Sequence, residues 1–184
     1  PFGEVVHNRI MLEIFRGCTR VCRFCQAGMI YRPVRERSMD RLLELAEKLV
    51  DATGYEEISL SSLSSGDYSC LPELATELMK RFQERRVSAS LPSLRVDSFV
   101  QDTLQQTQKV KKTTLTFAPE AGSQRLRDVI NKGVTEEDLR TIVDVSHEDG
   151  VIESDEKEMI YNVFDLGDAK AKDVMIPRVQ IIFA

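Results

Sequence analysis

The chain has 184 residues, of which 42% are hydrophobic and 30% are charged, and it carries a net charge of −5. This length and composition fit a globular protein with a sizeable apolar core and exclude a disordered chain. No apolar run approaches the roughly 20 residues that span a bilayer, and no strong excess of basic residues marks a nucleic-acid interface. We therefore predict no membrane span and no clear nucleic-acid surface.

Apolar residues in the first three quarters of the chain alternate between strand and helix periodicity. The predicted strands cover residues 10–15, 57–63, 87–91 and 113–117. The helix that follows each strand is predicted at residues 39–53, 71–85, 97–108 and 123–131. Ser38 and Gly54 are the expected start and stop signals of the first helix. Four successive βα units predict an α/β fold with a parallel sheet, and such sheets bind ligands at the carboxyl ends of their strands.

The pattern changes after residue 134. Two further helices are predicted at residues 136–149 and 154–166, and no fifth βα unit follows. We therefore predict a domain of about four βα units over residues 1–134 and an α-helical tail over residues 135–184. Four units cannot close a barrel, so we expect the sheet to keep an open edge.

Three of the four cysteines lie on the loop after the first predicted strand, with the spacing Cys18-x-x-x-Cys22-x-x-Cys25. Thiolates ligate iron–sulfur clusters, and three cysteines leave one iron of a four-iron cluster open to a chelating cofactor. Three arginines on the same loop make it cationic, which favours thiolates. The spacing therefore indicates a cluster site.

Zinc is the alternative metal for this loop. A structural zinc site needs four ligands, so Cys70 or His7 would have to complete it. No second CxxC-like element is present, and we expect Cys70 to be a buried thiol that packs like an apolar side chain. Clustered cysteines without a secretion signal indicate a reducing compartment, and we predict the cytoplasm.

The CxxxCxxC spacing directly after a first strand, with Phe24 before the last cysteine, resembles the signature of radical S-adenosylmethionine (SAM) enzymes. Four longer segments are similar to a subfamily of these enzymes that carries a cobalamin-binding-like domain before the core: residues 16–37, 60–68, 90–97 and 116–127. The resemblance covers about residues 1–140. It implies a partial, open TIM-like (βα) barrel, and the subfamily's upstream domain makes cobalamin a candidate cofactor.

The resemblance also implies how the loop is used. Cys18, Cys22 and Cys25 would hold a [4Fe–4S] cluster, with SAM chelating the fourth iron. An electron donor would reduce the cluster, which would then cleave SAM to methionine and a 5′-deoxyadenosyl radical that abstracts hydrogen from an unknown substrate. Phe24 would pack on the adenine or shield the cluster, with ordinary core packing as the alternative.

Five further residues are implied as contacts to SAM. Ser65, Gly66 and Asp67 stand where the family has a Gly-Gly-Glu-like segment that holds the SAM amino group, although a plain βα turn would use the same residue types. Glu120 lies near the family's contact to the SAM ribose or carboxylate. Arg125, or alternatively Arg127, would pair with the SAM carboxylate, unless it is an exposed surface arginine.

The tail resembles a different family. Residues 137–168 and 173–178 are similar to the cytosolic stretch of haemolysin-related divalent-cation transporters, where helices enter a paired CBS module. The chain therefore looks chimeric. Three functions follow as hypotheses: a radical SAM enzyme core, a catalytically incomplete iron–sulfur-binding fragment, and a regulatory piece of a cation transporter.

Overall fold

The computed structural model describes residues 8–92, 94–98, 107, 110–111, 116–168 and 175–176. The chain divides into two compact units, Pro1–Val134 and Thr135–Ala184. Among the described residues, no helix has the length and apolar character needed to cross a bilayer.

The first unit contains short strands and amphipathic helices. Its described strands are β1 (Ile10–Glu13), β2 (Phe15–Arg16), β3 (Arg35–Glu36), β4 (Glu57–Ser61) and β5 (Ser88–Ser90). Its described α-helices are α1 (Ala27–Ile30), α2 (Met39–Thr53), α3 (Leu71–Phe82) and α4 (Gln124–Val129). Single 3-10 turns occur at Ser65–Asp67 and Val96–Ser98, after β4 and β5 respectively.

The main sheet is parallel, with β4 between β1 and β5. Ile10 pairs with Ile58, and Ser59 pairs with Ser90. The three central residues of β4 are all buried, which is typical of a parallel strand covered on both faces. The predicted α/β fold with a parallel sheet is therefore confirmed for β1, β4 and β5.

The first predicted strand, residues 10–15, is interrupted at Ile14. The Ile14 amide donates to the Ser61 carbonyl at 3.0 Å and so continues the parallel sheet. The Ile14 carbonyl accepts from the Arg37 amide at 3.0 Å, on the side of a second sheet. That second sheet is the antiparallel pair of β2 and β3. Ile14 is thus the residue at which the chain leaves the parallel sheet and enters the antiparallel pair.

Helices α2 and α3 pack on the parallel sheet and on each other. Leu42, Ala46 and Val50 recur at helical spacing on the buried face of α2. The helix ends at Gly54, whose φ of 69° is the left-handed conformation that glycine adopts at a helix terminus. These helices cover an apolar core that positions the carboxyl ends of the strands.

Part of the predicted fold lies outside the described residues. The fourth predicted strand, 113–117, and the third predicted helix, 97–108, fall largely on residues that the structure does not describe. The fourth βα unit and the TIM-like barrel therefore stay predictions.

The second unit contains two described helices, α5 (Glu136–Glu148) and α6 (Ser154–Asp168). A capping box starts α5, because the Thr135 side chain and the Asp138 carboxylate each bond the other's backbone amide. Arg140 lies over the rings of Tyr161 and Phe164, with its guanidinium carbon 4.8 and 5.2 Å from their centroids. No residue of α5 is buried, so charged and aromatic contacts contribute much of the packing of this helix pair.

Candidate functional site

The cysteine loop is closed at its base by β2 and β3. Immediately after β2, Gly17 has a φ of 101°, and a Cβ there would lie 2.8 Å from the carbonyl oxygens of both Tyr31 and Pro33. The Cys18 amide donates to the Tyr31 carbonyl at 3.1 Å. Only glycine therefore lets the two arms of the loop approach this closely.

The three loop cysteines are free thiols, and they differ in burial. Cys22 is buried, with 8% of its surface exposed, whereas Cys18 and Cys25 are partly exposed. The Cys25 amide donates to the Cys22 carbonyl at 3.0 Å, which makes a tight turn between these two residues. Cys70 is exposed at the start of α3, so the expectation that it is buried is wrong. It occupies the N-cap position of α3 without a side-chain hydrogen bond to the helix backbone.

The donor set fits an iron–sulfur cluster in number and type, because three free thiols on one loop are the ligands that such clusters take. Across the described ranges, no group of three or more His, Cys, Asp or Glu side chains is positioned to hold a metal ion.

An ion-pair network joins the cysteine loop to the loops after β4 and β5. Arg20 donates from Nε to Asp67 Oδ2 at 2.8 Å, and its Nη2 bonds Asp67 Oδ1. Arg20 Nη1 also donates to Asp97 Oδ2 at 3.0 Å. Arg95 donates to the same carboxylate from Nε at 2.8 Å and from Nη2 at 2.9 Å. Two arginines and two aspartates thus bring three loops together at one end of the sheet.

Burial and charge act in opposite directions on this network. Burial raises the pKa of Asp67, but the hydrogen bonds and positive charge of Arg20 outweigh it, so the pKa lies below its ordinary value. Burial lowers the pKa of Arg95, and the hydrogen bond and charge of Asp97 reverse this, so its pKa is raised. The network therefore favours the charged forms of Asp67 and Arg95.

The end of α4 anchors the other side of the cysteine loop. The Arg23 amide donates to the Ile130 carbonyl at 2.9 Å, and Arg23 Nη1 donates to the Val129 carbonyl at 2.8 Å. Asn131 Nδ2 donates to the carbonyls of Arg20 and Val21 at 3.3 and 3.1 Å. These hydrogen bonds to backbone carbonyls thus hold the loop to a segment that lies more than 100 positions later in the sequence.

A groove of about 1000 Å³ lies elsewhere on this unit. It is lined by polar residues next to the starts of β4 and β5, among them Glu56, Glu57 and Ser88. This is the amino end of the parallel sheet, opposite the cysteine loop, and none of the predicted site residues lines it. We place the candidate site at the carboxyl ends because parallel sheets bind ligands there.

Comparison with known proteins identifies the family of the chain. The sequence profile of the Radical SAM superfamily matches residues 12–168, which is most of the chain. The chain belongs to the radical SAM superfamily. The profile extends through α5 and α6, so its range does not separate the two units.

Three relatives illustrate the extent of similarity. An uncharacterized protein of Methanocaldococcus jannaschii is 41% identical over 141 residues, covering 77% of this chain and 30% of that protein. The threonylcarbamoyladenosine tRNA methylthiotransferase of Bacillus subtilis is 36% identical over 61 residues, 33% of this chain and 13% of that enzyme. A UPF0053 protein of Mycobacterium bovis is 45% identical over 49 residues, 27% of this chain and 11% of that protein. The chain spans less than a third of the length of these relatives.

Among the predicted SAM contacts, Phe24 and Glu120 lie beside one lysine. Phe24 is 54% exposed, so packing of this ring in the core is excluded. Lys132 Nζ lies 5.7 Å from the Phe24 centroid and 3.2 Å from Glu120 Oε1. The candidate site thus has an exposed aromatic ring with the Lys132 ammonium near its face. Lys132, which the sequence did not single out, holds the two predicted residues together.

Of the remaining predicted SAM contacts, Ser65 and Asp67 already bond other groups of the protein. The Ser65 hydroxyl donates to the Leu60 carbonyl at 3.1 Å, and Asp67 pairs with Arg20. Gly66 lies between them in the 3-10 turn. Arg125 is exposed on α4. Their roles toward SAM stay predictions.

Arg95, near the end of the third predicted strand, has too little support from the sequence to enter the predicted set. Its Nη1 nevertheless donates to Cys22 Sγ at 3.6 Å. The two residues are 73 positions apart, so no local spacing signals the contact. The segment 90–97, which resembles the radical SAM subfamily, was the available pointer to this region.

Proposed function

We propose that this chain carries the cluster- and SAM-binding part of a radical SAM enzyme, with Cys18, Cys22 and Cys25 as the ligands of a [4Fe–4S] cluster. One observation carries the proposal: three free thiols lie on a single closed loop at the carboxyl end of a parallel sheet. Membership of the superfamily supports it. The substrate stays unknown, because the fold alone does not determine it.

When bound, the cluster and SAM would supply reductive cleavage of SAM to methionine and a 5′-deoxyadenosyl radical, using one electron from an external donor. The residues of the chain would bind and orient these groups. The cysteine loop holds the iron, and the exposed ring of Phe24 offers an apolar surface to the adenine. Asp67 could meet the SAM amino group only by sharing its carboxylate with Arg20, which now binds both oxygens.

Cobalamin as a further cofactor and the cytoplasm as the location of the protein stay predictions. Cobalamin would act through the subfamily's additional domain. Methylthio transfer to tRNA, the activity named for the Bacillus subtilis relative, is a candidate reaction, and the 61 residues of similarity lend it limited support. The activity of the whole enzyme is therefore proposed at the level of radical SAM chemistry.

Reductive SAM cleavage tests the proposal. The full chain is reconstituted anaerobically with iron and sulfide, then incubated with SAM and dithionite, and 5′-deoxyadenosine is quantified. We expect production by the wild type and by the Cys70→Ala control, and none by Cys25→Ala. An intact cluster without any 5′-deoxyadenosine would overturn the enzyme proposal and support a catalytically incomplete iron–sulfur fragment.

We further infer that the second unit has a different origin from the first. Its separate compact fold starting at Thr135 supports this, as does the 49-residue similarity to a UPF0053 protein. Sequencing the source locus with long reads tests the inference. A gene in which further βα units follow residue 140 would contradict it, and a continuous open reading frame of the present sequence would support a natural fusion.

A further inference from the structure

Arg95 reaches the least exposed of the three loop thiols. Cys22 is the buried cysteine of the loop, and Arg95 Nη1 lies 3.6 Å from its sulfur. The Arg95 side chain is itself only 11% exposed. A guanidinium N–H aimed at a buried sulfur is a charge-assisted donor in a site with little water to compete.

The orientation of Arg95 is fixed by groups other than the sulfur. Asp97, whose side chain is 13% exposed, accepts from both Nε and Nη2 of Arg95. Nη2 also bonds the Lys132 carbonyl at the end of α4. Asp97 is held in turn by Arg20 from the cysteine loop. The fork is therefore aimed at Cys22 before any cluster is bound.

The backbone allows this packing at Gly133. Its φ is 69°, and a Cβ there would lie 3.6 Å from Arg95 Nη2 and 3.9 Å from Asp97 Oδ2. The chain after α4 thus runs directly against the Arg95–Asp97 pair. Three further arginines lie nearer to the cysteines in sequence, Arg16 at the end of β2 and Arg20 and Arg23 on the cysteine loop. Their side chains bond oxygens of Glu13, Asp67 and Val129 among others.

We propose that Arg95 is a positioning residue of the cluster site. It donates an N–H···S hydrogen bond to the Cys22 ligand and places a positive charge beside it, and so raises the reduction potential of the cluster. This rests on the proposed function, since it takes Cys22 as a ligand. Hydrogen bonds to cluster sulfurs and nearby charge set the potentials of such clusters. A cation beside Cys22 stabilises the reduced state, which carries one more negative charge after accepting an electron.

The test is a potentiometric titration of the reconstituted full chain with dithionite as reductant, followed by electron paramagnetic resonance. Arg95→Met removes the charge and the donors at similar side-chain length. We expect its oxidised-to-reduced ratio at a fixed potential to rise about tenfold, which is a potential lower by about 59 mV for one electron. Arg16→Met is the matched control, because Arg16 is two positions before Cys18 in the sequence, but its side chain is 64% exposed and paired with Glu13.

The outcomes separate the two proposals. A lower potential in Arg95→Met with no shift in Arg16→Met supports the role of Arg95. Equal potentials in the wild type and Arg95→Met, or equal shifts in both variants, overturn that role while leaving the cluster ligands standing. A wild type that takes up no [4Fe–4S] cluster overturns the proposed function and this role with it.

A second variant keeps the proposal testable if Arg95→Met does not fold or does not take up a cluster. Arg95→Lys keeps a positive charge but lacks the planar fork that binds Asp97 and reaches Cys22 together. We expect a potential between those of the wild type and Arg95→Met, and an Fe–S(Cys) stretching frequency in resonance Raman spectra shifted from the wild type. A wild-type potential and spectrum in Arg95→Lys would overturn the proposal.

Discussion

At the residue scale, the ion pair between Arg20 and Asp67 fixes the cysteine loop to the loop after β4. It is a partly buried pair with two-point contact, so it is worth more than an exposed surface pair. Removing Asp67 leaves the partly buried Arg20 with Asp97 as its acidic partner and takes away the two-point contact. The structural role of Asp67 therefore competes with the role toward SAM that the family resemblance implies.

This pair predicts a pH dependence of stability. Because the pKa of Asp67 is lower in the folded protein than its ordinary value of 3.8, the folded state binds fewer protons than the unfolded state between the two values. The stabilisation is complete above about pH 4 and is lost as the pH falls through the folded-state pKa. Asp67→Asn should lower the free energy of unfolding by roughly 1–3 kcal/mol at pH 7.

Urea unfolding of the wild type and Asp67→Asn at pH 7 and pH 3 checks this prediction. The difference between the two proteins should shrink on acidification. A difference that is constant or grows toward pH 3 would show that the Asp67 carboxylate does not stabilise the fold through Arg20.

The three candidate cysteine ligands could be singled out from the sequence because all three lie within eight consecutive residues. Their surroundings could not. The contacts of Arg20 with Asp67, and of Arg95 with Cys22, span 47 and 73 positions, and they exist only because parallel strands bring their carboxyl ends together. Residue type alone could not show that Asp67 already has an arginine partner.

At the element scale, α4 is a short helix with a long-range role. Its last turn and the residues after it hold the cysteine loop through Val129, Ile130 and Asn131. The helix starts at Ser123, whose hydroxyl accepts from the Leu126 amide. A six-residue helix has little intrinsic stability, so this cap contributes a large share of it.

Ser123→Ala should therefore destabilise α4 by about 1 kcal/mol, the usual cost of losing a capping hydroxyl. The expected result is faster amide hydrogen exchange at Leu126 and Arg127, by about fivefold. Ser38→Ala is the matched control, because Ser38 caps α2 without a side-chain hydrogen bond. Unchanged amide exchange at Leu126 and Arg127 in Ser123→Ala would contradict the capping role. An equal acceleration of amide exchange in Ser38→Ala would contradict it as well.

Element boundaries could be predicted where local signals are strong. The bounds predicted for α2, residues 39–53, are those observed, because apolar spacing, Ser38 and Gly54 all act locally. The interruption at Ile14 could not be predicted. It depends on the pairing of β2 with β3, whose residues are about 20 positions apart and carry no strand periodicity of their own.

At the scale of the whole molecule, the two units are built differently. The first unit has an extensive apolar core beneath the strand ends, and that core supports the cysteine loop. In the second unit α5 buries no residue, and α6 exposes Met159, Val163 and Leu166 at helical spacing. The sequence predicts separate domains before and after residue 134 from the loss of βα alternation, and this domain assignment stays a prediction. The structure has compact units at Pro1–Val134 and Thr135–Ala184.

The central claim is that three thiolates of one loop hold a [4Fe–4S] cluster, and the iron and acid-labile sulfide content of anaerobically prepared full-length protein tests it most directly. The account predicts about four irons and four sulfides per chain for the wild type and for Cys70→Ala, and almost none for Cys22→Ala. Zinc in place of iron, no metal at all, or a full complement of iron in Cys22→Ala would contradict it.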